Sequence, residues 1–403
     1  MKRVFKHLTL IVCVASLLLN SSCNNHKGED EKPHTQTLIF YFAGTSLTFY
    51  YYKNISALKD ALRGDIKGDS RVMLFFQQSE KNSGEIIELT YENGLCEEKK
   101  LATHQLPERM DADGLSHILK DIMRLAPADS YSLIIGSHGT GWVPIDGQMD
   151  GAVQSATLDA HTAPATYWQR TGEEMTRYLG EDTNPQNAFD IPTLSQAITK
   201  TGVKMEYILF DACFMANVES AYELRNNTKY IVGSVCEIMG SGFPYTTVLP
   251  CMLTNRGTGY DLDGVCRAFN TFYDDNYGYS GSISLIDCSQ LETLAAEMKR
   301  VNMGAQREYN IDDLQFYEGQ LRHIFFDLGD YVDAVCDNAQ LKTSFQQQLD
   351  RTVVKKYTLD KYYSAYGVSG KYEITSYSGL NTSAPATVYV NDYKQTSWYK
   401  ATH

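Results

Sequence analysis

Apolar residues in this chain gather in short unbroken blocks, with amphipathic stretches between them. Thr37–Ala43 (TLIFYFA), Arg71–Gln77 (RVMLFFQ), Tyr131–Gly136 (YSLIIG), Tyr207–Asp211 (YILFD) and Tyr230–Val235 (YIVGSV) show no alternation. Such blocks predict strands covered on both faces, as in the core of a parallel sheet. Glu85–Tyr91 does alternate, Leu95–Leu101 is placed to pair with it, and Ser282–Ile286 is a further short strand. Helices are predicted over Ile55–Leu62, Asp113–Leu125, Pro192–Thr201, Ala216–Arg225, Phe243–Leu253, Leu262–Asp274 and Ser289–Met303; in the second, Leu115, Ile118, Leu119, Ile122 and Met123 recur at helical spacing. In the tail, Phe325–Val335 and Leu341–Val354 read as helices, and Tyr372–Leu380 and Thr387–Val390 as strands. Strands alternating with helices predict an α/β fold, one sheet parallel in its core, over residues 37–403.

Two segments break the pattern. At the start, Met1–Lys6 is basic and Leu8–Leu19 is apolar. That run is too short for a membrane span of about 20 residues and fits a secretory signal. Ser21-Ser22-Cys23 resembles a bacterial lipobox, with Asn20 where that pattern has an aliphatic residue. The expectation is a signal peptide at 1–22, a lipidated Cys23 and a flexible polar tether over 23–36. The alternative is an ordinary cleaved signal with an incidental cysteine. Either makes this an exported protein: an envelope lipoprotein facing the periplasm or the cell surface, or a secreted one. The second break is a polar insertion at 143–190, holding DGQMDGAVQSA and GEDTNPQNAFD. Long unpatterned segments inside a domain are usually functional.

Composition narrows the function. The 43% hydrophobic content excludes global disorder. Net charge is −13, and loss of Lys2, Arg3 and Lys6 with the signal takes it to −16. A body that acidic, without a Lys/Arg cluster, excludes a nucleic-acid partner and suits cationic peptides. Beyond Cys13 and Cys23 lie Cys96, Cys213, Cys236, Cys251, Cys266, Cys288 and Cys336. An odd number leaves at least one thiol unpaired, and no C-x-x-C supports a zinc ribbon or thioredoxin motif.

The chemistry falls at two strand ends. Tyr131–Gly136 runs into Ser137-His138-Gly139, and Tyr207–Phe210 into Asp211-Ala212-Cys213. Ligands of open α/β sheets bind outside the carboxyl ends of the strands. A helix starting near Met215 is expected to lower the Cys213 pKa, and His138 would complete a Cys–His pair. Gly139 lets the backbone approach a substrate carbonyl, and the amides of Gly139 and Cys213 are candidate oxyanion donors. Read separately, such a cysteine is more often a buried small hydrophobe and such a histidine more often structural than catalytic.

The combination is more specific. SHGTGW (Ser137–Trp142) and FDACFMANVE (Phe210–Glu219) resemble the clostripain family of cysteine peptidases, in the caspase-like clan. SVCEIMGSGFPY, FDLGDYVD and YSGLNTSAP are further similar segments. The resemblance implies a caspase-like, mainly parallel sheet flanked by helices, with Cys213 as nucleophile and His138 as general acid/base. It also implies protein or peptide substrates, cleavage after Arg or Lys, and activation by self-cleavage between His138 and Cys213. Asp211, with Glu237 and Ser234 nearby, is then the candidate site for a substrate guanidinium; a strand-end aspartate capping backbone donors is the competing reading. Glu237 is followed by Ile-Met-Gly-Ser-Gly without a second acid, which leaves a small-residue preference open. Candidate self-cleavage sites are Arg170, ranked first, and Arg177, placed in a nascent helix over Glu173–Leu179. A lipid-anchored peptide-binding protein of the same fold, without activity, is the alternative from another class. No cofactor is expected. Asp146-Gly147 and Asp150-Gly151 do not make an EF-hand loop, so calcium dependence stays open. Asp312, Asp313, Glu318 and Asp327 read as a solvated acidic face rather than a glycosidase pair.

Overall fold

The computed structural model describes residues 35–63, 68–77, 82–107, 109–144, 171–177, 188–254, 259–304 and 306–403. The signal peptide, Cys23, most of the 23–36 tether, Arg170 and most of the 143–190 insertion lie outside the described residues.

The strands are β1 (Gln36–Phe42), β2 (Ser70–Gln77), β3 (Ser83–Glu92), β4 (Leu95–Gln105), β5 (Tyr131–Gly136), β6 (Met205–Asp211), β7 (Thr228–Gly233) and β8 (Ile283–Asp287), then the two-residue β9 (Phe326–Asp327) and β10 (Val353–Tyr357). All but β9 form a nine-stranded sheet in the order β10-β8-β7-β6-β5-β1-β2-β3-β4. Its centre, β2-β1-β5-β6-β7, is parallel, and the strands at both edges run antiparallel. The unbroken apolar blocks explain the centre. Every residue of β1 and β5 is buried, so both sheet faces are covered.

The covering helices are α1 (Thr48–Leu62), α2 (Ala112–Leu125), α3 (Ile191–Thr201), α4 (Val218–Leu224), α5 (Tyr245–Met252), α6 (Leu262–Asn276), α7 (Leu291–Met303), α8 (Leu328–Val335) and α9 (Ala339–Thr352). One packed series runs α1–α5–α6, and another α2–α3–α4–α7–α9. Asp111, Asp190, Asn217, Asp261, Asp327 and Asn338 cap six of these helices, each accepting from an amide in the first turn.

Several boundaries differ from the sequence reading. The helix after Cys213 starts at Val218, not near Met215, because Asn217 caps it, while Phe214 N–H and Ala216 N–H are used by the carbonyls of Cys236 and Ser234. Leu341–Val354 does not stay helical to its end: Val353 opens β10, which pairs with β8. Tyr372–Leu380 is a strand only at its start, in the hairpin of β11 (Lys361–Ser364) with β12 (Gly370–Glu373). Beyond it the Gln315 side chain takes the Thr375 and Ser376 amides. Thr387–Val390 is no strand, since Tyr389 has φ of 55°.

Candidate active site

β5 and β6 are parallel neighbours with Gly136 opposite Asp211. His138 and Cys213 each stand two residues past that pair, so the register itself brings them to one place above the sheet. Gly139 follows. A Cβ there would collide with the Cys213 carbonyl oxygen, so only glycine permits this approach. Phe214, next to the nucleophile candidate, holds a φ of 63°, an uncommon conformation for a bulky residue.

The crevice is filled by the chain's own residues 171–177. Thr176 forms an antiparallel bridge with Met239. The Arg177 amide donates to Ile238 O (2.9 Å), and the Gly240 amide to Met175 O (2.7 Å). The nascent helix expected over Glu173–Leu179 is therefore replaced, as far as Arg177, by strand-like pairing. The Arg177 carbonyl oxygen accepts from both candidate oxyanion donors, Gly139 N–H (3.2 Å) and Cys213 N–H (3.3 Å).

The Arg177 side chain is fully buried. Its Nη1 lies 2.9 Å from Asp211 Oδ2 and also donates to Asp211 O. Nη2 donates to Asn54 Oδ1 (2.6 Å), and Nε to Gly240 O (3.3 Å). The Tyr51 ring lies 5.6 Å from the guanidinium carbon. Tyr245 donates to Asp211 Oδ2 (2.6 Å) and fixes the carboxylate. At Gly242, φ +67°, a Cβ would strike both Arg177 and Asp211. Burial alone would lower the Arg177 pKa, but Asp211 and the surrounding tyrosines hold it above its ordinary value. Burial leaves the Asp211 pKa above its ordinary value, although Arg177 and Tyr245 pull it down. Because a guanidinium does not lose its proton in proteins, Arg177 itself stays charged.

Cys213 and His138, the two candidate catalytic residues, are both held in their uncharged forms. The Cys213 thiol is buried, with Ile238 N at 3.4 Å, and burial followed by Glu237 raises its pKa well above the usual value. The expected thiolate-favouring helix field is absent, since α4 begins five residues later. Burial, then Arg177, lowers the His138 pKa to about 3, so the imidazole is neutral. Its Nε2 lies 2.6 Å from Ser46 Oγ, and its Nδ1 is buried without a hydrogen-bond partner among the described residues.

Glu237 does not touch the guanidinium. It accepts from Thr176 Oγ1 (2.8 Å), Ser364 Oγ (2.6 Å) and the Ala365 amide (3.0 Å). Ser234 is not brought to Arg177 either; its hydroxyl accepts from the Cys236 amide in its own loop. Asn54, Tyr51, Tyr245 and Ser46 complete the site and carry no sequence signal beyond the excess of tyrosine. Glu318 and Asp327 are buried, unlike Asp312 and Asp313. They hold backbone amides, of Ile324 and Phe325 and of Ser378 and Asp330, so the solvated acidic face is only half there.

The model of the clostripain family of peptidases matches residues 165–403. The chain belongs to the clostripain family. Among solved structures, this clostripain-family chain is similar to a secreted C11 cysteine protease from Bacteroides thetaiotaomicron, "iotapain", at 34% identity over 92% of this chain and 100% of the other, with a TM-score of 0.78. An inactive zymogen C11 protease from Parabacteroides distasonis shares 25% identity over 92% and 99%, TM-score 0.74. A clostripain from Bacteroides thetaiotaomicron in complex with the peptide inhibitor BTN-VLTK-AOMK shares 37% over 55% and 97%, TM-score 0.50. A comparison with curated proteins gives no match. Family and fold make this clostripain-family member a cysteine peptidase with peptide substrates, on a caspase-like α/β sheet.

Proposed function

We propose that the chain is an endopeptidase cutting after Arg or Lys, made as a precursor that first cuts itself at Arg177–Tyr178. The single observation carrying this is Arg177 itself: its side chain pairs with buried Asp211 while its carbonyl oxygen lies on the Gly139 and Cys213 amides. That is how the residue before a scissile bond must lie, with recognition and electrophile placed together. This replaces Arg170 as the first-ranked site. The VLTK peptide held by the related clostripain also ends in a basic residue.

In this mechanism Cys213 Sγ attacks the Arg177 carbonyl carbon, and the thiol proton passes to His138 Nδ1. The serviceable tautomer carries its proton on Nε2, donated to Ser46, which keeps the Nδ1 lone pair free. The tetrahedral oxyanion stays on the two amides. On collapse the C–N bond breaks and His138 returns the proton to the Tyr178 amine. Water then hydrolyses the Arg177 thioester, regenerating the thiol and releasing a carboxylate. Arg177 can now leave, which opens the Asp211 pocket to substrates. Both dyad groups start neutral, so proton transfer accompanies attack. The exported setting, anchored through Cys23, fits a precursor that turns active outside the cytoplasm; the iotapain relative is a secreted enzyme.

The test is hydrolysis of a peptide set varied only before the scissile bond, by protein that has cut itself. Arg and Lys peptides should be turned over and Ala and Leu peptides barely. Faster cleavage after Ala or Leu contradicts the assignment and favours the small-residue reading.

A further inference from the structure

Glu237 was expected beside the guanidinium and instead faces the residue before it. Thr176 and Glu237 are both buried, and the threonine hydroxyl donates to Oε2 at 2.8 Å. Ser364 Oγ donates to the other oxygen, Oε1, at 2.6 Å, and the Ala365 amide is shared between Oε1 at 3.0 Å and Oε2 at 3.1 Å. We infer that Glu237 reads the position before the basic residue and selects threonine or serine there, a reading that rests on the proposed Arg/Lys cleavage. Valine has threonine's shape without its donor, and would leave buried Oε2 with only its share of the Ala365 amide. A lysine at that position overshoots, because the acceptor sits within hydrogen-bond reach of a β-position oxygen in a closed space. Burial pushes the Glu237 pKa up to about 8, and leaving a hydrogen bond unmade at this buried carboxyl corresponds to about a 10- to 100-fold preference.

The experiment compares kcat/KM of the self-cut enzyme on peptides with Arg before the scissile bond and Thr, Ser, Val or Lys preceding it. Thr and Ser should exceed Val by about tenfold or more, and Glu237→Gln should shrink that ratio. Equal rates for Thr and Val, or a Lys peptide ahead of both, overturn the inference. If no Arg peptide is cut while Ala or Leu peptides are, it is the basic specificity that has failed. The Thr/Val ratio in the unmutated enzyme stands even if the variant folds poorly.

A separate observation lies at the sheet edge. His104 on β4 and His117 and Asp121 on α2 bring their ligand atoms within 4.8 Å of one another. His104 Nε2 is 3.2 Å and His117 Nε2 3.8 Å from Asp121 Oδ2. Donors around a tetrahedral zinc at about 2.0–2.2 Å stand roughly 3.3–3.6 Å apart, so this set is close to preformed. Arg124 holds Asp121 by the other oxygen, Oδ1, which leaves Oδ2 to the two histidines. We propose that these three residues bind a zinc ion, with water as fourth ligand, and tie the β3–β4 edge to α2.

The test is calorimetric titration of Zn²⁺ into the full chain carrying Cys213→Ala, with and without His117→Ala. His117 is exposed, so its loss spares the fold. One saturable site, lost or weakened at least about tenfold on removal of one of three ligands, is expected. Absence of a saturable site, or one indifferent to His117→Ala, overturns the proposal.

Discussion

Replacing Asp211 by asparagine keeps the shape of the pocket and removes its charge. In the Cys213→Ala background, which cannot cut itself, this isolates the docking of Arg177. The guanidinium is fully buried, 2.9 Å from the Asp211 carboxylate. Removing one partner of a buried ion pair costs about 3–5 kcal/mol, because the other charge stays desolvated. Here the segment can escape that cost by lifting away from the crevice. The Arg177 amide, held on Ile238 O, and the Gly240 amide, held on Met175 O, report that opening. Their native-state hydrogen exchange should speed by about 10²- to 10⁴-fold. Amides in β1 and β5 should be unchanged. Adding Arg177→Gln to Asp211→Asn should give a far smaller change than the two single effects together. Additive effects, or unchanged exchange at Arg177, would refute the claim that this ion pair holds the segment.

Other consequences follow from the same geometry. Gly139→Ala places a methyl against the Cys213 carbonyl and displaces one oxyanion donor, so self-cleavage timed by gel should slow by about 10²-fold or more. In uncut His138→Ala protein, alkylation of Cys213 by iodoacetamide should be slow at neutral pH and rise only in alkali, since burial holds the thiol pKa well above its usual value. Mass-spectrometric mapping of the labelled thiol checks this. Burial raises the Glu219 pKa to about 7. Its protonated form is favoured by the fold, so that contribution is complete below the unfolded value near 4.5 and is lost as pH climbs through 7. Glu219→Gln should flatten the fall of Tm over that window, measured by scanning calorimetry; an unchanged slope counts against it.

The sheet was legible because its chemistry is local. Strands buried on both faces must be apolar throughout, and β1, β5, β6 and β7 each show such a block. His138 and Cys213 were legible for the same reason, both lying just past strand ends. What surrounds them was not. Asn54 and Tyr51 reach the guanidinium from α1, and Ser46 reaches His138 from the turn before it, through contacts spanning about a hundred positions. Glu237 was read as an acid near a basic pocket, but the antiparallel pairing of 175–177 with 238–240 turns it toward Thr176 instead. Arg177 was placed in a nascent helix and ranked second because 171–177 has no apolar pattern; its burial comes from a buried charge partner, which hydropathy does not register. The thiol was assigned to a helix start, and Asn217 moved that start to Val218.

The most direct test of the account is intact-mass and N-terminal analysis of the purified protein beside its Cys213→Ala variant. The account predicts two chains that stay together in the first, one of them beginning at Tyr178, and a single uncut chain in the variant. A fully active single chain, or a cut at Arg170 with Arg177–Tyr178 intact, would contradict it.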